Sequence, residues 1–179
     1  MHDKKAQTRQ RILDAARSAL ILNGPADPSV QQVMGAAGLT VGGFYAHFEN
    51  KDALMLEAFC QLLGERRALL AQVDASLDGE ARRALVAAFY LSRKHRDSTE
   101  QACPIPASVG ELGRLPESFR KALNEHMELM VAQLAASPED TDKALADMAL
   151  MVGGLSLARA LGPGELSDRL LRAAKSAVI

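Results

Sequence analysis

Between Ser29 and Lys51 the chain reads SVQQVMGAAGLTVGGFYAHFENK, which gathers hydroxyl, imidazole and ammonium groups around two adjacent glycines. Thr40, Tyr45, His47 and Lys51 are phosphate-binding residue types: their O–H and N–H groups donate to anionic oxygens, and the lysine adds charge. Ser29, at the head of the segment, is grouped with them. Val41, Gly42 and Gly43 carry little side chain, so a backbone there approaches a groove closely and a valine methyl meets a thymine methyl. This is the chemistry of reading duplex DNA. Catalytic chemistry has less material. The four histidines, His2, His47, His95 and His126, lie far apart, and there is no phosphate-binding loop, nucleophile elbow or His/Glu metal pair. Cys60 and Cys103 have neither a disulfide framework nor zinc spacing. No enzyme activity, cofactor or metal is expected. The competing function is a helical adaptor or scaffold without DNA activity.

Two short helices and a turn must position these groups. Ser29 is an N-cap with Gln32 three residues on, a capping-box pattern. Val30, Val33, Met34 and Ala37 form an apolar stripe at helical spacing. Gly38 supplies the left-handed residue that ends a helix. Leu39 fills the corner and Thr40 caps a second helix over 41–48. Phe44 and Phe48, four apart, face inward, leaving Val41, Gly42, Gly43, Tyr45 and His47 outside. Each glycine costs that helix about 1 kcal/mol relative to alanine, which a chain retains where a bulky side chain would block approach.

Thr8-Arg9 followed by Ile12-Leu13-Asp14-Ala15-Ala16, then Gly38 to Phe48 and Lys51-Asp52-Ala53-Leu54, resemble the first helix, turn, recognition helix and fourth-helix start of TetR-type (tetracycline-repressor-like) regulators. The resemblance covers about the first third of the chain. It implies an all-helical homodimeric transcription regulator, usually a repressor released by a small-molecule effector. The recognition helices of the dimer would read an inverted-repeat DNA operator.

Composition agrees with a helical protein. Of 179 residues, 48% are hydrophobic and only 4% aromatic, with no tryptophan, which favours helices over sheets. No run is expected to span a membrane and the N-terminus has no signal-peptide pattern, so a cytoplasmic location is expected. Net charge is −1, but residues 1–51 carry six cations against four anions. Lys4, Lys5 and Arg9 form either an arm on the DNA backbone or a frayed terminus.

The expected architecture is all-α with about nine helices: a helix-turn-helix DNA-binding domain over 1–50 and a ligand-binding and dimerisation bundle over 51–179. Helices are expected near 5–22, 51–73, 78–93, 107–113, from 116, 138–161 and 165–178. The 51–73 helix shows Leu56, Phe59, Cys60 and Leu63 on one face, placing Cys60 in the core and making this helix the lever between sites. Phe89, Cys103, His126, Met127, Met130 and Met151 are candidates to line an effector cavity; at helical spacing they are equally core packing. Cys103 is either an oxidant or electrophile sensor or a small buried side chain. Residues 148–158 are apolar nearly all round, and the last helix has a stripe at Leu166, Leu170 and Ala174. Met148, Met151, Val152, Leu155, Leu166, Leu170 and Ala174 are therefore expected at a four-helix dimer seam, the alternative being a buried helix of a monomer.

Overall fold

The computed structural model describes residues 2–74, 76–98 and 102–178, and side chains from residue 4 onward. Among the described residues the fold is all-α, as expected. Nine α-helices run in order: α1 His2–Asn23, α2 Val30–Ala36, α3 Lys51–Leu70, α4 Gly79–Tyr90, α5 Arg93–Asp97, α6 Ile105–Ser108, α7 Glu117–Leu134, α8 Thr141–Leu161 and α9 Glu165–Val178. Short 3-10 helices cover Val41–Ala46, Leu112–Arg114 and Pro138–Asp140.

These elements form two compact units, Met1–Gly64 with Cys103–Leu123, and Glu65–Ala102 with Asn124–Ile179. The boundary differs from the division at residue 50 read from the sequence: residues 51–64 and 103–123 pack with the N-terminal helices. In the first unit α1 packs on α2 and α6. Ile12, Leu13 and Leu20 of α1, Met34 of α2, Phe44, and Leu54, Met55 and Phe59 of α3 are all buried. Phe59 meets Phe119 at the start of α7, with ring centroids 6.0 Å apart. The face of α3 is turned from the expected one. Met55, Ala58, Phe59, Leu62 and Leu63 are buried, whereas Cys60 is exposed. Apolar residues surround this helix, so its sequence marks no single stripe.

The second unit is built on α8. It packs against α9, and α4 lies against both. Ala87 of α4 and its C-cap Leu91, Met148 and Met151 of α8, and Leu171 and Ala174 of α9 share its core. Pro138–Leu161 is long and apolar enough to cross a membrane by length and composition, contrary to expectation. It is partly buried and carries a buried ion pair. Asp147 is buried and its Oδ2 lies 3.1 Å from Arg83 Nε and 3.2 Å from Lys143 Nζ. Arg83 is itself buried and donates from Nη1 to the Leu134 carbonyl (3.2 Å). A second staple ties α5 to α9. The Arg96 guanidinium, buried, donates to Ser167 Oγ and Asp168 Oδ1, both at 2.8 Å, and to both Asp97 oxygens. Ser167 in turn donates to the Ala158 carbonyl (2.8 Å), joining α9 to α8.

Candidate nucleic-acid interface

Residues 29–51 take up the expected helix–turn–helix. Ser29 Oγ accepts from Gln32 N (3.2 Å) and Gln32 Oε1 accepts from Ser29 N (2.8 Å), a complete capping box. α2 ends at Ala37, and Gly38 follows with φ +67°, the left-handed conformation a turn needs here. Arg11 of α1 donates to the Ala37 carbonyl (2.6 Å), satisfying an acceptor at the helix end.

The second helix departs from expectation. It is 3-10 over Val41–Ala46 rather than α-helical to residue 48, with Gly43 N bonding Thr40 O and His47 N bonding Phe44 O. Two adjacent glycines weaken α-helix formation, and the tighter winding is the form short segments adopt. Its sidedness follows the sequence reading. Phe44 is fully buried and stacks on Phe48, with centroids 5.9 Å apart. Val41 is 43% exposed, Tyr45 is 72% exposed and Gly42 and Gly43 are exposed. Thr40 stands at the N-cap position without a side-chain capping bond, which leaves its hydroxyl uncommitted to the helix end. His47 is half-buried and its Nδ1 has no hydrogen-bond partner. Asn50 Oδ1 accepts from Ala53 N (2.8 Å) and caps α3.

Three cations near this surface hold the unit together. Lys51 Nζ donates to the Ala26 carbonyl (2.6 Å), pinning the loop before α2, while Ala26 N donates to Glu111 Oε2 (3.0 Å). Arg11 bonds Ala37 as above. Arg9 pairs with Glu57 and lies over the Phe48 ring. Sequence spacing gave no sign of these contacts, whose partners lie 25 to 85 residues apart. Lys4 and Lys5 lie in α1 and are exposed.

The effector-cavity residues divide between the units. Met127 and Met130 pack against the core that contains Met151. His126 is buried, and Arg67 donates to its Nδ1 (3.2 Å). Nδ1 therefore accepts and the ring is neutral with its proton on Nε2. Burial, and then the Arg67 charge, hold the His126 pKa down to about 4. Phe89 is exposed and stacks on His95, 5.3 Å away. His95 is buried and donates from Nδ1 to the Tyr90 carbonyl (2.9 Å). Its pKa is also pushed down to about 4, by burial first. Cys103 is buried in the first unit.

Of the dimer-seam residues, Met148, Met151, Leu155 and Ala174 are buried within their own chain. The space at Gly154 is filled by α9 of the same chain, since a Cβ there would sit 3.0 Å from that of Ala174. Met148, Met151 and Ala174 are thus core residues of the second unit. Val152 and Leu170 are partly exposed. Leu166 is 62% exposed and Leu157, one face of α8, is 57% exposed.

Known proteins resemble this chain in its N-terminal segment and in its fold. The sequence profile of the tetR family of bacterial regulatory proteins matches residues 12–58, the span from α1 into α3. The HTH-type transcriptional regulator YerO of Bacillus subtilis (strain 168) is 25% identical over 166 residues, covering 87% of this chain and 54% of YerO. The HTH-type transcriptional regulator SrpR of Pseudomonas putida is 38% identical over 61 residues, 34% of this chain and 27% of SrpR. The chain thus spans about half the length, or less, of these curated relatives. The crystal structure of E. coli NemR in its reduced form superposes with a TM-score of 0.80 at 18% identity, covering 96% of this chain and 95% of that one, and shares the fold. Residues 12–58, which hold the capped helix–turn–helix and the exposed glycine-rich segment, match the tetR family of bacterial regulatory proteins, and the chain is similar to HTH-type transcriptional regulators.

Proposed function

We propose that the chain is a sequence-specific DNA-binding transcriptional regulator, a homodimeric repressor released by a small-molecule effector. The observation that carries this reading is the segment 41–46: Phe44 and Phe48 anchor it from within, while Val41, Gly42, Gly43 and Tyr45 present an outer edge with little steric bulk at the glycines. Val41, Gly42 and Gly43 face base edges in a major groove. Ser29, Thr40, Tyr45 and His47 donate to phosphates, and Lys51 adds two donors beyond the one it spends on Ala26. Residues 1–50 carry DNA binding, and residues 51–179 carry effector binding and dimerisation in the cytoplasm. Phe89, Cys103, His126, Met127, Met130 and Met151 are the effector-lining candidates on this reading. Two protomers read an inverted repeat, and the effector favours the state that fits DNA less well.

Gly43→Glu tests the assignment. A Cβ at Gly43 meets only Met34 Cε, at 3.9 Å, so the variant should fold. A carboxylate facing phosphates and base edges should abolish binding to a duplex recovered by selection from a random pool. A folded Gly43→Glu protein that shifts this duplex at the wild-type concentration would show that another surface reads DNA.

A further inference from the structure

We propose that Arg9 is not a phosphate ligand but the positioning residue of the DNA-reading segment: clamped by Glu57, it fixes the plane of Phe48 and through it Phe44 and Tyr45. This inference rests on the DNA-binding reading above.

The guanidinium of Arg9, on α1, donates from Nη1 to Glu57 Oε1 (2.7 Å) and from Nη2 to Glu57 Oε2 (2.5 Å), a two-pronged pair between α1 and α3. Its Cζ lies 4.5 Å from the centroid of the Phe48 ring. Phe48 stacks on Phe44, and Phe44 meets Tyr45 edge-on at 5.2 Å. An unbroken series of contacts therefore runs from the Glu57 carboxylate to the exposed tyrosine. A planar guanidinium held by two parallel bonds has a defined orientation, which an ammonium would lack. The aromatic face below takes its tilt from that plane. The pair is half exposed, and an exposed ion pair by itself contributes little to stability. What it supplies is orientation of the segment that must fit a groove.

The charges make the inference testable by sign. If Arg9 served as a phosphate ligand, Arg9→Met would reduce the slope of log affinity against log salt by about 0.9 per protomer. Glu57, an acid beside the DNA, would then oppose binding, and Glu57→Gln would tighten it. The positioning role predicts the opposite pattern. Arg9→Met and Glu57→Gln each weaken binding to the selected duplex by about tenfold, consistent with loss of a charge-assisted bond and a cation–π contact. Both leave the salt slope unchanged and keep affinity for a random duplex of equal length within about twofold. The double variant loses no more than either single one, because both break the same clamp. Arg9→Lys fails to restore the selected-to-random ratio.

The measurement is fluorescence titration of the full chain and these variants, with both duplexes, over a series of salt concentrations. Tighter binding by Glu57→Gln, or a lower slope for Arg9→Met, overturns the proposal. Equal weakening on both duplexes also overturns it, since that marks a general loss of fold. Should Arg9→Met fail to fold, the nearly isosteric Glu57→Gln decides by its sign alone. A wild-type protein that recovers no preferred sequence overturns the DNA-reading function itself, and this inference with it.

Discussion

Gly42 has no atom within 4 Å of where a Cβ would stand, and neither Gly42 nor Gly43 has positive φ. The fold thus has no need of glycine at either position. Gly42→Ala should stabilise the protein by about 0.5–1 kcal/mol, because alanine has less backbone freedom to lose on folding, and should weaken DNA binding. Urea unfolding and duplex titration on one preparation check both effects. A stabilised variant that binds as before would remove close approach as the reason for the glycines. At this scale the sequence was legible wherever a role depended on near neighbours. The capping box at Ser29 and Gln32 and the inward pair Phe44 and Phe48 follow from spacings of three and four. Lys51, Arg9 and Glu111 were opaque, because their partners are distant in sequence and nothing in local spacing marks them.

α3 and α8 were legible as helices but not in the direction they face. Apolar residues surround both, and a helix without a single stripe is oriented by its neighbours. Cys60 therefore lies outside where Leu62 lies inside, and Leu155 has 0% exposure. Two consequences for α8 and α7 are measurable. Asp147→Ala leaves buried Arg83 with Asp140, 3.6 Å away, as its acid among the described residues. Removing one partner of a buried pair costs about 3 kcal/mol, to be read as a lower urea midpoint with an unchanged m-value. The second consequence is a pH dependence. His126 and His95 are held down to about 4 in the folded chain, below the unfolded value of about 6.5. The unfolded chain then binds more protons between those values, so stability is complete above about pH 6.5 and falls as pH drops toward 4. Each histidine contributes a loss of about 1.4 kcal/mol per pH unit within that window. Unfolding at pH 6.5 and pH 5 should show this slope, and His126→Met should remove about half of it. A stability that rises toward pH 5 would mean that both rings are charged in the folded state.

For the whole molecule, the composition and the motif together pointed to an all-α regulator; the fold is all-α among the described residues, and residues 12–58 match the tetR family. The grouping of 103–123 with the N-terminal helices was not legible, because it depends on contacts such as Phe59 with Phe119 and Ala26 with Glu111 that connect remote parts of the chain. The burial of Leu155 changes how dimerisation should be probed. Leu155→Arg would place an unpaired charge at a fully buried position of α8 and unfold the protein. Leu166→Arg, at a 62% exposed position beside the α8–α9 turn, should keep the fold and weaken the dimer, with operator affinity falling as linkage of the two heads is lost. Sedimentation velocity with thermal melting checks this. A Leu166→Arg chain that stays a tight dimer would place the seam elsewhere. The most direct test of the central claim is selection by the wild-type chain from a random duplex pool, followed by sedimentation of the recovered complex. The account predicts enrichment of an inverted repeat whose half-site centres lie about one helical turn or a multiple of it apart, bound by two protomers or pairs of them. Recovery of no common sequence, or of a single half-site bound by one protomer, would contradict it.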